Sequence, residues 1–294
     1  MLISRMKWFS LFAVLILFFN NCSNDPVSSG EDQPPSMPDL YSFQSEPISF
    51  FDYEVDHTDE DYSYPDYIGF YVARTWAQLA LDRGTYDFFP FAAQAEPEFE
   101  DGVWVWEFPL TDVDNQNEPN DEQEGDEAFR ALREGAYLAK SSSEVTQRLT
   151  ARSLSGGIEW ALTISGTIDG TSINNILIEG GYVSDDGREG QWNYYLPDFE
   201  GDGSSIYKES EWELGPDSEV NMHVTQYWDD YENPGVIKTR IYHYTRSGED
   251  NRLTTNDGHD IYWNLETGQG WAFNEGEKIC FSSENDYKNV PCAD

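Results

Sequence analysis

Apolar and polar residues alternate in short segments along the second half of the chain, and these segments recur about every 10–15 residues. Turn dipeptides such as Asp169-Gly170, Asp186-Gly187 and Ser247-Gly248 separate them. Alternation with a period of two is typical of strands with one buried face, and such dipeptides are typical of tight hairpins. Together with a similar segment earlier in the chain, the pattern predicts strands over residues 103–108, 145–154, 157–166, 171–183, 190–196, 205–214, 219–228, 236–245, 259–265 and 278–281.

Apolar residues three and four positions apart predict one amphipathic helix over residues 66–83. Its apolar stripe comprises Ile68, Val72, Trp76 and Leu79. Asp66 is placed to cap the first N–H groups, and Gly84 stands where helices commonly end. Before this helix, residues 49–64 alternate loosely between aromatic and acidic side chains, which predicts a first strand followed by a solvated loop.

These elements predict the fold class. No helical segment separates the later strands, so a parallel sheet is not expected. We predict a mainly β protein in which an antiparallel meander forms a curved sheet or open barrel, with one N-terminal amphipathic helix packed on it. Residues 41–294 are expected to form a single β-rich domain.

The N-terminal segment predicts export. Arg5 and Lys7 precede an apolar run over residues 8–19, and Cys22 follows after Asn20 and Asn21. A basic start and a short apolar run are the layout of a secretory signal, and the run is too short to cross a bilayer as a helix. Ending on a cysteine with polar residues after it, the segment resembles a bacterial lipoprotein signal.

This resemblance implies a signal peptide over residues 1–21 and a lipid on Cys22, which would attach the protein to a membrane of the bacterial envelope, at the periplasmic face or the outer surface. Residues 22–40 are rich in Pro, Ser and Asp and predict a disordered spacer. An ordinary signal peptide and a retained short anchor are the alternatives.

The charge of the chain limits the classes of partner that it is expected to bind. The sequence has 56 acidic and 17 basic residues and a formal net charge of −39, yet 15% of its residues are aromatic. Such aromatic content predicts a packed core, and the acidic coat resembles that of proteins from salt-loving organisms, where salt screens the self-repulsion. A surface for cations or a basic partner is the rival interpretation. Nucleic acid is not an expected partner, because no basic patch is present.

The cysteines predict one disulfide. With Cys22 assigned to lipid, Cys280 and Cys292 are the remaining pair, and an exported protein lies where disulfides persist. Two free thiols are the alternative, and the spacing does not suit a metal.

Motifs that would indicate catalysis are absent from the sequence, and no cofactor or metal is expected. The acidic loop that starts at Asp112 lacks the Gly and Glu of a calcium loop. His223 and His243 lie on predicted neighbouring strands but lack a third ligand. Glu159, Glu211 and Glu213 flank tryptophans, and the alternation predicts Trp facing inward and Glu facing outward.

Aromatic residues on the predicted strands and helix are the candidate ligand contacts: Trp76, Trp160, Trp192 and Trp212. A helix followed by a meander resembles the element order of lipocalins and of periplasmic lipoprotein carriers, which implies a binding function; simple core filling is the alternative. We therefore expect a lipid-anchored, non-catalytic binding module for an apolar or glycan ligand. A structural envelope protein with a filled core and a carboxylate-based glycan hydrolase are the alternative functions.

Overall fold

The computed structural model describes residues 33–38, 46–53, 55, 62–81, 88–109, 145–168, 171–198, 203–216, 219–230, 233, 235–274 and 276–292. The predicted signal, Cys22 and the acidic loop that starts at Asp112 lie outside this set.

The described strands form one antiparallel sheet in which each strand pairs with the next in the chain. The sheet is curved and does not close on itself. Its strands are β1 Glu98–Glu100, β2 Val103–Pro109, β3 Thr146–Leu154, β4 Gly157–Ile168, β5 Thr171–Ser184, β6 Glu189–Asp198, β7 Gly203–Leu214, β8 Val220–Asp229, β9 Ile237–Ser247, β10 Asp250–Thr255, β11 Asp260–Asn264, β12 Gln269–Asn274, β13 Glu277–Ser282 and β14 Asn289–Val290. The predicted mainly β meander is confirmed.

Every strand predicted from residue 103 onward is present, and four of the described strands were not predicted: β1, β10, β12 and β14. In β10 the inward positions include Asn251, which is fully buried. Its Oδ1 accepts a hydrogen bond of 2.7 Å from the hydroxyl of Tyr244. A buried polar group of this kind interrupts the apolar alternation, so the pattern did not reveal the strand.

The first predicted strand is wrong, because Glu46–Phe51 forms a 3₁₀ helix. Phe50 and Phe51 are both buried, with exposed fractions of 8% and 0%. Successive side chains of a strand point to opposite faces, so two adjacent phenylalanines that enter one core require a helical backbone.

One face of the sheet, here called the inner face, carries the core. Its largest fully buried side chains are Trp160, Trp192, Trp263, Tyr194, Tyr242 and Tyr244. The register pairs four of the inner tryptophans with glycines on neighbouring strands: Trp160 and Trp192 with Gly181, Trp212 with Gly190, and Trp263 with Gly270. Because glycine has no Cβ, each indole is given space on the crowded face.

The predicted helix is present as α1 (Ile68–Leu81), after a 3₁₀ turn over Tyr64–Tyr67. Its apolar stripe is rotated from the prediction. The residues most buried against the sheet are Phe70, Ala73, Ala77, Ala80 and Leu81. The predicted residues Ile68, Val72, Trp76 and Leu79 are only partly buried.

Small residues explain this rotation. A Cβ on Gly69 would lie 2.9 Å from Cγ2 of Ile279, so the helix backbone approaches the sheet closely there. Ala73 and Ala77 continue that line of close approach, and the larger side chains are displaced to its sides. Asp66 does not act as the predicted cap, since it lies within the 3₁₀ turn, and Arg83 and Gly84 are outside the described residues.

The predicted disulfide between Cys280 and Cys292 is confirmed. It holds the chain next to the edge strand β14, where Asn289 links the sheet to α1. The side chain of Asn289 accepts a hydrogen bond of 3.2 Å from the backbone N–H of Gly69. It also donates one of 2.8 Å to the carbonyl of Pro65. None of the described helices has the length and apolarity needed to span a membrane.

A second helix, α2 (Phe89–Ala92), lies against the other part of the inner face. The ring of Phe89 lies 6.2 Å from that of Trp160 and 5.7 Å from that of Trp192. The inner face is therefore covered by α1 over β11–β14 and by α2 at the β2 side.

Candidate functional site

The four tryptophans predicted to contact a ligand lie in two different environments. Trp160, Trp192 and Trp212 are buried in the core of the inner face. Trp76 is partly buried on α1, and its ring lies 6.4 Å from that of Tyr242. Trp160 and Trp192 flank Gly181. Trp76 instead lies beside Arg240 and His259. Their role as ligand contacts stays a prediction.

A line of polar residues crosses the inner face along five neighbouring strands. The register pairs Glu179 with Tyr194, Tyr194 with Lys208, Lys208 with Gln226, and Gln226 with Arg240. We call these five residues the polar row. Their positions are those that the alternation of each strand directs toward the core, so their polar groups enter a largely aromatic surface.

The first part of the polar row is tightly bonded. The indole N–H of Trp192 donates a hydrogen bond of 3.0 Å to Oε2 of Glu179. Lys208 is only 5% exposed, and its Nζ lies 5.5 Å from the centre of the Tyr194 ring. Gln226 is 8% exposed and accepts a hydrogen bond of 2.9 Å from the hydroxyl of Tyr242. Burial of these groups is tolerated because they are hydrogen-bonded or in contact with aromatic faces.

The last residue of the row, Arg240, lies at the centre of a second cluster. Its Cζ is 4.6 Å from the Trp76 ring and 5.0 Å from the Trp228 ring. Its Nε donates a hydrogen bond of 2.9 Å to Oδ2 of Asp257. The ring of His259 lies 4.0 Å from that of Trp76. We call these five residues the Arg240 cluster.

The electrostatics of the cluster depend on Asp257. Burial raises the pKa of this carboxyl, but the hydrogen bond from Thr255 and the positive charge of Arg240 outweigh burial and lower the pKa below its ordinary value. Asp257 therefore stays ionised near neutral pH and fixes the guanidinium on its Nε side.

Several N–H donors at this end of the inner face have no acceptor among the described residues. They are the two terminal nitrogens of Arg240, the amide nitrogen of Gln226, and the indole nitrogens of Trp76 and Trp228. The side chain of Arg240 is 23% exposed, so solvent reaches the cluster. Flat aromatic surfaces beside unpaired donors suit a ligand that has both apolar ring faces and acceptor oxygens.

The outer face of the sheet holds the other candidates. The rings of His223 and His243 stack 4.5 Å apart, and Nε2 of His243 lies 2.8 Å from Oδ1 of Asn221. Burial and the neighbouring His223 lower the pKa of His243 below its ordinary value. Among the described residues there is no group of three or more His, Cys, Asp or Glu that could hold a metal ion.

The carboxylates considered for hydrolysis also lie on the outer face. Glu159, Glu211 and Glu213 are exposed. The tryptophans next to them in sequence, Trp160 and Trp212, are buried, as the alternation predicted. Glu159 forms an ion pair of 3.6 Å with Arg152. Glu211 pairs in register with His223.

Sequence reasoning missed the polar row and the Arg240 cluster, whose members come from different strands, a turn and a helix. A signal was present: Lys208, Gln226 and Arg240 occupy the phase of their strands that Trp212, Val224 and Tyr242 identify as inward. Cations in the inward phase are costly unless they are paired, and so they mark positions with a specific role.

The fold and the site define a mainly β protein with a single open meander, helices on its inner face, and a donor-rich aromatic cluster on that face where Trp76 of α1 meets Arg240. No protein-family model, curated protein or solved structure matches this chain.

Proposed function

We propose that this protein is a non-catalytic binding module for a glycan, and that the glycan binds at the Arg240 cluster and the neighbouring part of the polar row. The observation that carries the proposal is the set of N–H donors that have no acceptor among the described residues and lie beside the indoles of Trp76 and Trp228. Sugar rings present apolar faces that stack on aromatic side chains, and their hydroxyl oxygens accept hydrogen bonds.

An apolar ligand suits the inner face less well. Phe70 is fully buried beneath α1, where its ring lies 5.8 Å from that of Phe281 and 5.7 Å from that of Phe51. Ala73, Ala77 and Ala80 are also fully buried. An acyl chain would have to displace these close-packed groups, which disfavours the carrier function and favours a ligand at the polar end.

Tryptophan fluorescence of the full chain, titrated with neutral and acidic oligosaccharides, tests the proposal. We expect saturable quenching in the wild type and at least about tenfold weaker binding in Trp228→Ala, because the stacking surface is removed. Trp271→Ala is the matched control, since Trp271 is a partly exposed tryptophan on the outer face, with Lys278 4.8 Å from its ring. Equal losses in both variants, or no binding of any saccharide, would contradict the proposal.

A structural role in the envelope is the second candidate, and the density of the core favours it. Trp160, Trp192, Trp263, Tyr242 and Tyr244 are each at most 1% exposed, as expected of a protein that only has to be rigid. This candidate predicts that none of the saccharides binds, while removal of the protein weakens the envelope against osmotic shock.

We also propose that the protein is exported and held at a bacterial envelope membrane by a lipid on Cys22. The support is the order of the sequence: a basic start, the apolar run over residues 8–19, the cysteine, and the polar spacer. Intact mass spectrometry of the protein from membranes tests it. We expect a chain that starts at Cys22 and is heavier by a diacylglyceryl group and an acyl chain. An unlipidated chain, or one that retains residues 8–19, would contradict it, and Cys22→Ala is the control.

A further inference from the structure

We infer that the glycan bound by this protein is acidic, and that the end of the Arg240 guanidinium binds its carboxylate or sulfate group. This inference rests on the proposed function and specifies the ligand of the same site. Its support comes from the local balance of charge, the orientation of Arg240, and the groups that surround it.

The part of the inner face around the Arg240 cluster differs in charge from the rest of the chain. Lys208, Lys238 and Arg240, three of the chain's 17 basic residues, occupy inward positions on β7 and β9. Two acidic groups beside them, among the residues that the structure describes, already have partners. Asp230 pairs with Lys238 at 2.9 Å, and Asp257 binds Arg240.

On the outer side of the same strands stand Glu209, Glu211, Glu213 and Asp229. A chain with a net charge of −39 repels an anion over most of its surface. At this end of the inner face, three cations stand beside Asp230 and Asp257, so we expect an anion to be repelled less there than over the rest of the surface.

The orientation of Arg240 leaves one of its binding edges available. A guanidinium offers an Nε side and a terminal pair of nitrogens, and each can bind an oxyanion in bidentate geometry. Asp257 takes the Nε side. Contacts with the indoles of Trp76 and Trp228 restrict rotation of the planar group, so the terminal pair is held away from Asp257.

A neutral ligand would not explain this arrangement as well. The Arg240 guanidinium is held between two indoles and bound to one carboxylate, although an arginine on a strand could extend into water. Its two terminal nitrogens find no acceptor among the described residues. Carboxylate and sulfate oxygens are the strong acceptors that match such a fork, and Gln226 beside it can donate to a hydroxyl or ester oxygen of the same sugar.

Calorimetric titration of the full chain with tetragalacturonate and with its fully methyl-esterified form tests the inference. Esterification removes the charge and leaves the ring hydroxyls in place. We expect the free acid to bind at least about tenfold more tightly, the usual effect of a charge-assisted hydrogen bond pair. A sulfated galactan tetrasaccharide and its desulfated form make a second pair, which separates a sulfate ligand from a carboxylate ligand.

Arg240→Gln is expected to abolish the preference for the charged member of each pair, and Arg240→Lys to retain part of it, since the charge is kept without the fork. Arg252→Gln is the matched control. It removes the same charge and a similar ion pair, from Arg252 to Asp260 at 2.8 Å, on the outer face of the sheet, and we expect it to change neither affinity. If Arg240→Gln fails to fold, the comparison of acid and ester in the wild type and in Arg240→Lys still decides.

Equal binding of the charged and uncharged members of both pairs by the wild type would overturn the inference and leave the proposed function standing. Losses of equal size in Arg240→Gln and Arg252→Gln would overturn it as well. Failure of all four saccharides to bind would instead overturn the proposed function. Binding of anionic phosphatidylglycerol vesicles that is lost in Arg240→Gln, without saccharide binding, would identify a lipid surface and reject the glycan.

Discussion

At the scale of single residues, the inner face depends on glycines that face large aromatic rings. A Cβ on Gly190 would lie 2.2 Å from Cζ2 of Trp212, far inside van der Waals contact. We expect Gly190→Ala to lower the free energy of unfolding by about 1–3 kcal/mol, because overpacking displaces the indole. Urea unfolding measures the change.

The matched control for Gly190→Ala is the double variant with Trp212→Leu. Leucine lacks the six-membered ring that the new methyl group would meet, so the two changes together should cost less than their sum. Strictly additive losses would show that Gly190 matters for its backbone and not for the space above it.

The stacked histidines give a pH dependence at the same scale. The pKa of His243 is lowered in the folded protein, so the unfolded chain binds more protons on this residue as the pH falls below about 6.5. The contribution of His243 to the free energy of unfolding is therefore fully present above that pH. It is lost as the pH falls through the lower pKa of the folded state. We expect the wild type to lose more stability between about pH 7 and pH 5 than His243→Asn does. Identical pH profiles of the two proteins in urea unfolding would contradict this.

The residues of the candidate site show where sequence reasoning ends. Trp76 was singled out because it lies in a helical stripe, but its partners Arg240 and His259 belong to β9 and the turn before β11, and Trp228, which contacts the same Arg240, belongs to β8. No spacing along the chain encodes that encounter. It depends on the register of the hairpins from β8 to β11 and on the path of α1, which a pattern of single residues does not define.

At the scale of elements, β14 and α1 are coupled through Asn289. The disulfide between Cys280 and Cys292 keeps β14 beside β13, and Asn289 on β14 holds the start of α1 at Gly69 and Pro65. We expect Cys292→Ser to lower stability by up to about 3 kcal/mol in the chain-entropy model. The loss should be local, since β14 is the edge strand.

Hydrogen exchange with mass spectrometry measures this coupling. Amides of α1 should exchange faster in Cys292→Ser than in the wild type, while those of β5–β7 should be unchanged, because β8–β13 separate these strands from β14 in the sheet. The variant Asn289→Ala, which keeps the disulfide but removes the link, should produce the same faster exchange in α1. Uniform acceleration over the whole sheet would show that the disulfide acts globally.

Element types were predictable because most strands have one buried and one solvated face. The exceptions have local causes. The 3₁₀ helix at Glu46–Phe51 buries two adjacent phenylalanines, and β10 buries Asn251 through a hydrogen bond to Tyr244. In α1 the alanines decide which side approaches the sheet, whereas a stripe chosen by residue size points elsewhere. Adjacent buried rings, a buried hydrogen bond and a close helix approach determined these outcomes, and the alternation of apolar and polar residues expresses none of them.

At the scale of the whole molecule, the acidic coat governs stability. A net charge of −39 on a compact body produces self-repulsion that salt screens, since the Debye length falls from about 10 Å at 0.1 M to about 3 Å at 1 M salt. We expect the urea midpoint to rise steadily over this range of NaCl, and KCl at equal ionic strength to give the same rise. A midpoint that does not change with salt would contradict self-repulsion as a significant term.

The chain-order meander also has a consequence for how the molecule assembles. Each described strand pairs only with its neighbour in sequence, so from β3 onward hairpins are able to form one after another with little loop entropy to overcome, whereas residues 110–145 separate β2 from β3. The N-terminal segment is the exception. The indole of Trp263 donates to the carbonyl of Pro47 across 216 residues, and Gly69 meets Asn289 across 220. Residues 47–70 are thus synthesised before the strands on which they pack, and Phe51 and Phe70 cannot be buried against Trp263 and Phe281 until β11 and β13 have emerged.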